Sequence, residues 1–174
     1  MAIGNFARCI DFTLREEGGF SDDRLDPGNW TGGAVGCGVF GGTNFGISAA
    51  SYPTLNLRAL TSTGASTIYQ RDYWTPLKCD SFKAGVDLVM MDFSVNAGLH
   101  RSAVWLQDVV HTDQDGKIGP ATIAAANEFD AATLISLLTA AHEHFYETMR
   151  DAARYAKALD GRAERCRAAA LAML

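Results

Sequence analysis

Ile3, Phe6, Ala7, Ile10 and Leu14 recur at steps of three and four, which predicts an N-terminal helix with one apolar stripe. From residue 18 to 56 that periodicity stops. The segment is rich in Gly, Asn, Asp and Thr, with GNWTGGAVGCGVFGGTNFGIS at its centre, and reads as a long functional loop or a set of short hairpins. Helical spacing returns at Ala65, Ile68, Tyr69 and Tyr73, in a helix ending near Pro76. Val86, Val89, Met90 and Phe93 mark another, interrupted around Asn96-Ala97-Gly98, and Ala103, Leu106 and Val110 mark the next. The DQDGKIGP turn leads into a short helix with Pro120 at its first position. Asp130 stands as the N-cap of a long helix lined by Leu134, Leu137, Leu138, Ala141, Phe145 and Met149, and the Ala- and Arg-rich tail from Gly161 is helical too. With no repeat and no linker, residues 1–174 form a single all-α unit broken by one irregular polar segment.

The first stripe carries a chemical expectation. Continued by alternating steps, it runs 3, 7, 10, 14 and 17, so Glu17 falls on the buried face while Glu16 is turned about 100° away. A carboxyl among apolar neighbours loses hydration, which favours the protonated form that a general acid must hold. Gly18 and Gly19 end the helix in conformations closed to other residues and leave room for a ligand to approach. EEGG also reads as a mere helix stop, although an acid at a helix C-terminus opposes the macrodipole. A second carboxylate nearby strengthens the chemical reading, because protonating a glycosidic oxygen creates oxocarbenium-like charge that a carboxylate stabilises or quenches by directing water. Asp22, Asp23 and Asp26 lie within reach. Asp26 precedes Pro27 and Gly28 in a fixed turn and is the best held, though DPG is equally a plain turn signature.

Composition narrows the class. A chain of 174 residues with 48% apolar content is ample for an unaided core, and 15 basic against 20 acidic side chains give a formal charge of −5, which provides no field for nucleic acid or an anionic membrane. No window approaches the roughly 20 apolar residues that span a bilayer. The opening MAIGNFARCIDFTLREE lacks the hydrophobic region of a secretory signal, so synthesis and folding are expected in the cytoplasm. Cys9, Cys37, Cys79 and Cys166 form no CxxC pair and read as reduced thiols.

Several blocks together resemble a known family. Glu17-Gly18-Gly19-Phe20, Asp26-Pro27-Gly28 and Gly42-Thr43-Asn44-Phe45-Gly46-Ile47-Ser48 are similar to the EGGY, DPGG and TNYGIT blocks of glycoside hydrolase family 108. That family holds phage-type N-acetylmuramidases, among them bacteriophage endolysins and proteins once labelled secretion activators. Downstream, IYQRDYW, MDFSVNAG, Leu106-Gln107 and DGKIGPAT resemble the peptidoglycan-binding region that accompanies it. The resemblance implies a lysozyme-like helical fold with a cleft between a small irregular lobe and a helical lobe. Residues 1–80 would be the catalytic-motif half and residues 81–174 the helical, peptidoglycan-binding half.

Carried onto this chain, the resemblance makes Glu17 the general acid, Asp26 the second carboxylate and Thr43 a hydroxyl that orients water or substrate. Residues 29–41 separate DPG from GGTNFGIS where many members run the two together, so Thr31 is the alternative third residue. Where relatives often show Gly-Trp-x-Asn-Arg, this chain has Ala158-Leu159-Asp160-Gly161-Arg162, and only the arginine matches.

The implied reaction is hydrolysis of the bond between N-acetylmuramic acid and N-acetylglucosamine in peptidoglycan glycan strands, by a monomer needing no cofactor. Without a signal, the enzyme would be made in the bacterial host cytoplasm and reach the periplasmic wall through holin-type release, as suits a bacteriophage or a gene transfer agent. Two other readings stay open: a lytic transglycosylase using the same acid, and a non-catalytic wall-binding or secretion-assisting protein.

For the glycan, Tyr69, Tyr73 and Trp74 are aromatics able to stack on sugar rings, or core at helical spacing. Trp30 has no periodic partner and suits a cleft rim. Asn44 and Phe45 join the candidates for substrate contact from the same block as Thr43. Asn96 either lines the cleft or caps a helix. No metal is expected. HTDQDG puts His111 and Thr122 where a calcium loop needs acids, and His142-Glu143-His144 is not HExxH.

Overall fold

The structure, a computed structural model, describes the backbone of residues 4–148 and 152–174 and the side chains of these except 147–160. It contains helices α1 (Phe6–Glu17), α2 (Ser62–Tyr69), α3 (Val86–Ala97), α4 (Leu99–Val109), α5 (Pro120–Glu128), α6 (Ala131–Thr148) and α7 (Ala152–Leu171). Two short strands, β1 (Thr43–Asn44) and β2 (Ile47–Ser48), pair antiparallel within the long polar segment, with Thr43 opposite Ser48 and Asn44 opposite Ile47.

Two compact units are present. One is Thr13–Tyr69; the other is Gln70–Leu174 together with Met1–Phe12, so α1 contributes to both. The larger unit is built on α3, whose residues Val86 to Ser94 are all buried and which packs on α4, α6 and α7. A helix buried on every side, its Asp92 included, has to be central, with each inward polar group paired within the core. Gly98, at φ +85°, breaks α3 from α4 where the sequence predicts the interruption. Pro120 opens α5, and Asp130 accepts from the Thr133 amide at 2.9 Å, capping α6. Gln107 ties the DGKIG turn to α4. Its Nε2 donates to Asp115 Oδ1 at 2.7 Å and to the Lys117 carbonyl at 3.0 Å, while its Oε1 accepts from the Gly116 amide at 2.9 Å.

Three details differ from the pattern-based expectations. In α1, Ala7 is exposed, whereas Cys9 and Thr13 are fully buried beside Ile10; Cys and Thr are weak hydrophobes that a pattern read from aliphatic residues passes over. In α6, Leu137 is 43% exposed and Ile135 takes the buried place. The last helix starts at Ala152 and runs through Gly161. Ile3 and Met149, named on two of the stripes, lie outside the described residues.

The arginine of the C-terminal block is structural. Arg162 on α7 is buried and binds Asp92 on α3, with Nη2 to Oδ1 at 2.7 Å and Nε to both carboxylate oxygens at 3.2 Å. His142, 1% exposed, packs on Phe93 and Tyr146, with ring centroids 4.1 and 4.6 Å away. Burial, aided by the Arg162 charge, pushes its pKa down to about 3. The unfolded chain therefore takes up this proton below about pH 6.5 while the folded chain does not. The histidine's contribution is complete above the unfolded value and is lost as the pH falls from there toward about 3. Urea unfolding of His142→Phe at pH 7, 5 and 4 should show a shallower loss of stability than wild type, by up to about 1.4 kcal/mol per pH unit. Equal slopes would refute this.

Candidate active site

α1 ends at Glu17 because Gly18, at φ +74°, takes the left-handed conformation that stops a helix. A Cβ added at Gly18 or Gly19 would meet nothing within 4 Å, so the helix end faces open space. The chain then pairs Ser21 with Thr43 through two backbone bonds of 2.8 and 2.9 Å, which brings the hairpin to the end of α1.

The hairpin turn is Phe45-Gly46, both left-handed at φ 51° and 73°. This two-residue geometry matches the twist of the flanking strands but strains a phenylalanine by roughly 1 kcal/mol. Tyr69 of α2 holds it in place, its hydroxyl donating to the Phe45 carbonyl at 2.8 Å. Gly46 is required for a second reason. A Cβ there would overlap Glu17 Oε2 and lie 2.8 Å from Glu17 Cδ and 2.7 Å from the Tyr69 hydroxyl. The Glu17 carboxyl thus rests directly on the turn backbone, with Oε1 removed from solvent although the residue as a whole is only half-buried.

At the open end of the hairpin the DPG block is stitched to β1 and β2. Asp26 caps the short 3₁₀ turn Pro27–Asn29, its Oδ1 accepting from the Gly28 amide at 2.8 Å, and the residue is exposed. The Gly28 carbonyl accepts from the Ala50 amide at 3.0 Å. Asn29 is fully buried. Its amide donates to the Asp23 carbonyl at 2.9 Å, its side-chain oxygen accepts from the Thr43 hydroxyl at 2.6 Å, and its backbone carbonyl accepts from Gly41 and Gly42. With its proton given to Asn29, the half-buried Thr43 hydroxyl has only lone pairs to offer, so it can accept a bond from water or from a sugar hydroxyl.

The remaining candidates have varied surroundings. Asp22 pairs with Arg58 at 3.1 Å on the surface, and Asp23 accepts from the Leu25 amide at 2.9 Å. The Thr31 hydroxyl accepts from the Val39 amide at 2.8 Å, closing its own loop. Trp30 is half-buried, lies 5.2 Å from Phe40 and donates through Nε1 to the Arg24 carbonyl at 3.0 Å. Asn44 is buried and donates its amide to the carbonyls of Leu57 and Leu60, so it fastens β1 to the following loop. Phe45 and Tyr73 are half-buried; Tyr69 and Trp74 are core, with Trp74 edge-on to Phe6 at 5.3 Å. Asn96 donates back to the Asp92 carbonyl at 2.8 Å within α3. Asn29 holds the Thr43 hydroxyl, Gly46 seats the Glu17 carboxyl and Tyr69 ties the Phe45 carbonyl, three contacts that pattern reasoning did not foresee. Only Tyr69 gave a signal, as an aromatic whose polar tip needs a partner when buried.

Residues 10–98, about half the chain and all of the site just described, match the family model of glycosyl hydrolase 108. The chain belongs to this family. Among solved structures, it is similar to that of Brucella abortus SagA, with a TM-score of 0.82 and 32% sequence identity over 98% of this chain and 95% of SagA. No curated protein matches it. The fold is accordingly all-α and lysozyme-like. As a member of glycosyl hydrolase 108 the chain is a glycoside hydrolase and, in general terms, a peptidoglycan hydrolase with a glycan substrate. Among the described residues, no helix is long and apolar enough to cross a membrane.

Proposed function

We propose that the protein is an N-acetylmuramidase that hydrolyses the bond between N-acetylmuramic acid and N-acetylglucosamine. The observation that carries this reading is the Glu17 carboxyl seated on Gly46, with one oxygen out of water and open space beyond the paired glycines. In this reading Glu17 gives its proton to the leaving glycosidic oxygen. Asp26 stabilises the positive charge that develops at the anomeric carbon or takes a proton from the incoming water, and Thr43, oriented by Asn29, accepts a bond from that water.

A lytic transglycosylase is the second reading, favoured by the commitment of Asp26 Oδ1 to the Gly28 amide. Such an enzyme needs the same acid but closes an anhydro ring instead of adding water. Digestion of purified wall in heavy-oxygen water, followed by mass spectrometry, separates the two. We expect one labelled oxygen at each new muramic acid reducing end; unlabelled anhydro products would overturn the hydrolytic assignment.

The biological setting follows as part of the same proposal. The enzyme acts as a monomeric, bacteriolytic endolysin of a bacteriophage or phage-derived cassette, made in the host cytoplasm and released to the wall by a holin. Export of the intact protein from cells lacking any holin would contradict that setting.

A further inference from the structure

The chain carries a net charge of −5, yet the first turns of α4 border two cavities whose charged lining, among the described residues, is entirely basic. One, of about 470 Å³, is lined by His100, Arg101 and Trp105 over apolar Leu99 and Val104. The other, of about 340 Å³, has Lys78 and Lys117 around Leu99 and Ile118. Leu99 lines both. His100, in the lining of the first, packs its ring on Gly116 in the wall of the second: a Cβ on Gly116 would lie 2.5 Å from His100 Nε2. The two cavities share Leu99 and lie within the Gln70–Leu174 unit; together they are termed the basic groove.

These basic side chains are available. Among the described residues, none of Lys78, His100, Arg101 and Lys117 makes a salt bridge. Lys117 also borders a further cavity with Asp113 and Asp115; of these acids, Asp115 is already engaged by Gln107 and by the Lys117 amide, bonds that hold its carboxyl below the usual range. Two of the lining side chains are also held in place. Arg101 lies 4.6 Å over the Phe145 ring and donates to the Ala97 carbonyl at 3.3 Å, and Trp105 stacks on Phe93 with centroids 4.6 Å apart. Groups fixed in advance lose little entropy when a ligand arrives.

We infer that this groove binds the peptide stems of the wall polymer through their carboxylates, in addition to the glycan contact at Glu17. The inference rests on the muramidase reading for the identity of the polymer. A peptide suits the groove better than a phosphodiester polymer, because the Leu99, Val104 and Ile118 surfaces and the Trp105 indole match apolar side chains, whereas a poly(glycerol phosphate) chain carries an anion on every short, hydroxylated repeat and no apolar side chain.

The test measures binding of a soluble acidic stem tetrapeptide, followed by the indole resonance of Trp105, alongside the same peptide with its carboxylates amidated. The free peptide should bind, less tightly as salt rises, and amidation should weaken binding about tenfold or more. The exposed double variant Arg101→Gln/Lys117→Gln should lose a similar factor, as expected when two exposed charge pairs are removed together. Arg167→Gln, on α7, should bind like wild type. On intact wall the double variant should raise KM several-fold at unchanged kcat, and on peptide-stripped glycan it should match wild type. The inference is overturned if the free peptide does not bind, if it binds no better than the amidated one, if the double variant binds equally well, or if poly(glycerol phosphate) binds more tightly. A protein that binds the peptide as described but cleaves no wall would refute the muramidase reading and not this one.

Discussion

Glu17→Gln should clear purified wall at about a hundredth of the wild-type rate or less, the loss expected when a general acid is removed. Glutamine has the same shape, so the seat on Gly46 is kept and the variant should melt within a few degrees of wild type, as roughly 1 kcal/mol or less would imply at this size. The pairing of a large kinetic loss with a small thermal one is what distinguishes a reacting group from a helix-end decoration. A variant that melts normally and still clears the wall at the wild-type rate would return Glu17 to the bland role that EEGG alone permits.

Gly46→Ala is expected to damage both properties at once. The residue sits at φ +73°, where a side chain costs roughly 1 kcal/mol, and the added methyl overlaps the Glu17 carboxylate and crowds the Tyr69 hydroxyl. Overpacking of this kind adds about 1–3 kcal/mol, for a total of about 2–4 kcal/mol in denaturant unfolding. Because the carboxyl must move to make room, kcat should fall about a hundredfold, the scale associated with a displacement near 1 Å of a reacting group. Gly18→Ala is the natural comparison. It also strains the backbone, at φ +74°, but its Cβ meets nothing within 4 Å, so stability should drop with much less effect on rate. Equal kinetic losses in the two variants would mean that backbone strain, and not contact with Glu17, explains both.

Much of the helical framework was legible from spacing and punctuation. Gly18 ends α1, Gly98 divides α3 from α4, Pro120 opens α5 and Asp130 caps α6, each for the local reason that its residue type suggests. Local chemistry carries less information about phase. Ala7 and Leu137 are apolar and exposed, while Thr13 is polar in type and fully buried, because burial depends on which neighbours arrive from elsewhere in the chain.

The site was legible in its ends and not in its middle. Glu17 and the DPG turn announce themselves in consecutive residues. The Asn29–Thr43 bond, the Tyr69–Phe45 bond and the Trp30–Phe40 contact join positions 14, 24 and 10 residues apart, across irregular backbone that has no period to follow. Asn29 in particular reads as one more turn-former; only the folded loop reveals that its side chain holds the Thr43 hydroxyl and its carbonyl gathers two glycine amides.

The central claim is that Glu17 supplies the proton to the departing sugar oxygen. The most direct measurement compares wild type with Glu17→Gln on two substrates: natural glycan strands, whose leaving group needs protonation, and an aryl glycoside whose leaving group departs readily as an anion. The account predicts a deficit of about a hundredfold or more on the strands that shrinks to within about tenfold on the aryl glycoside. The same deficit on both substrates would contradict it.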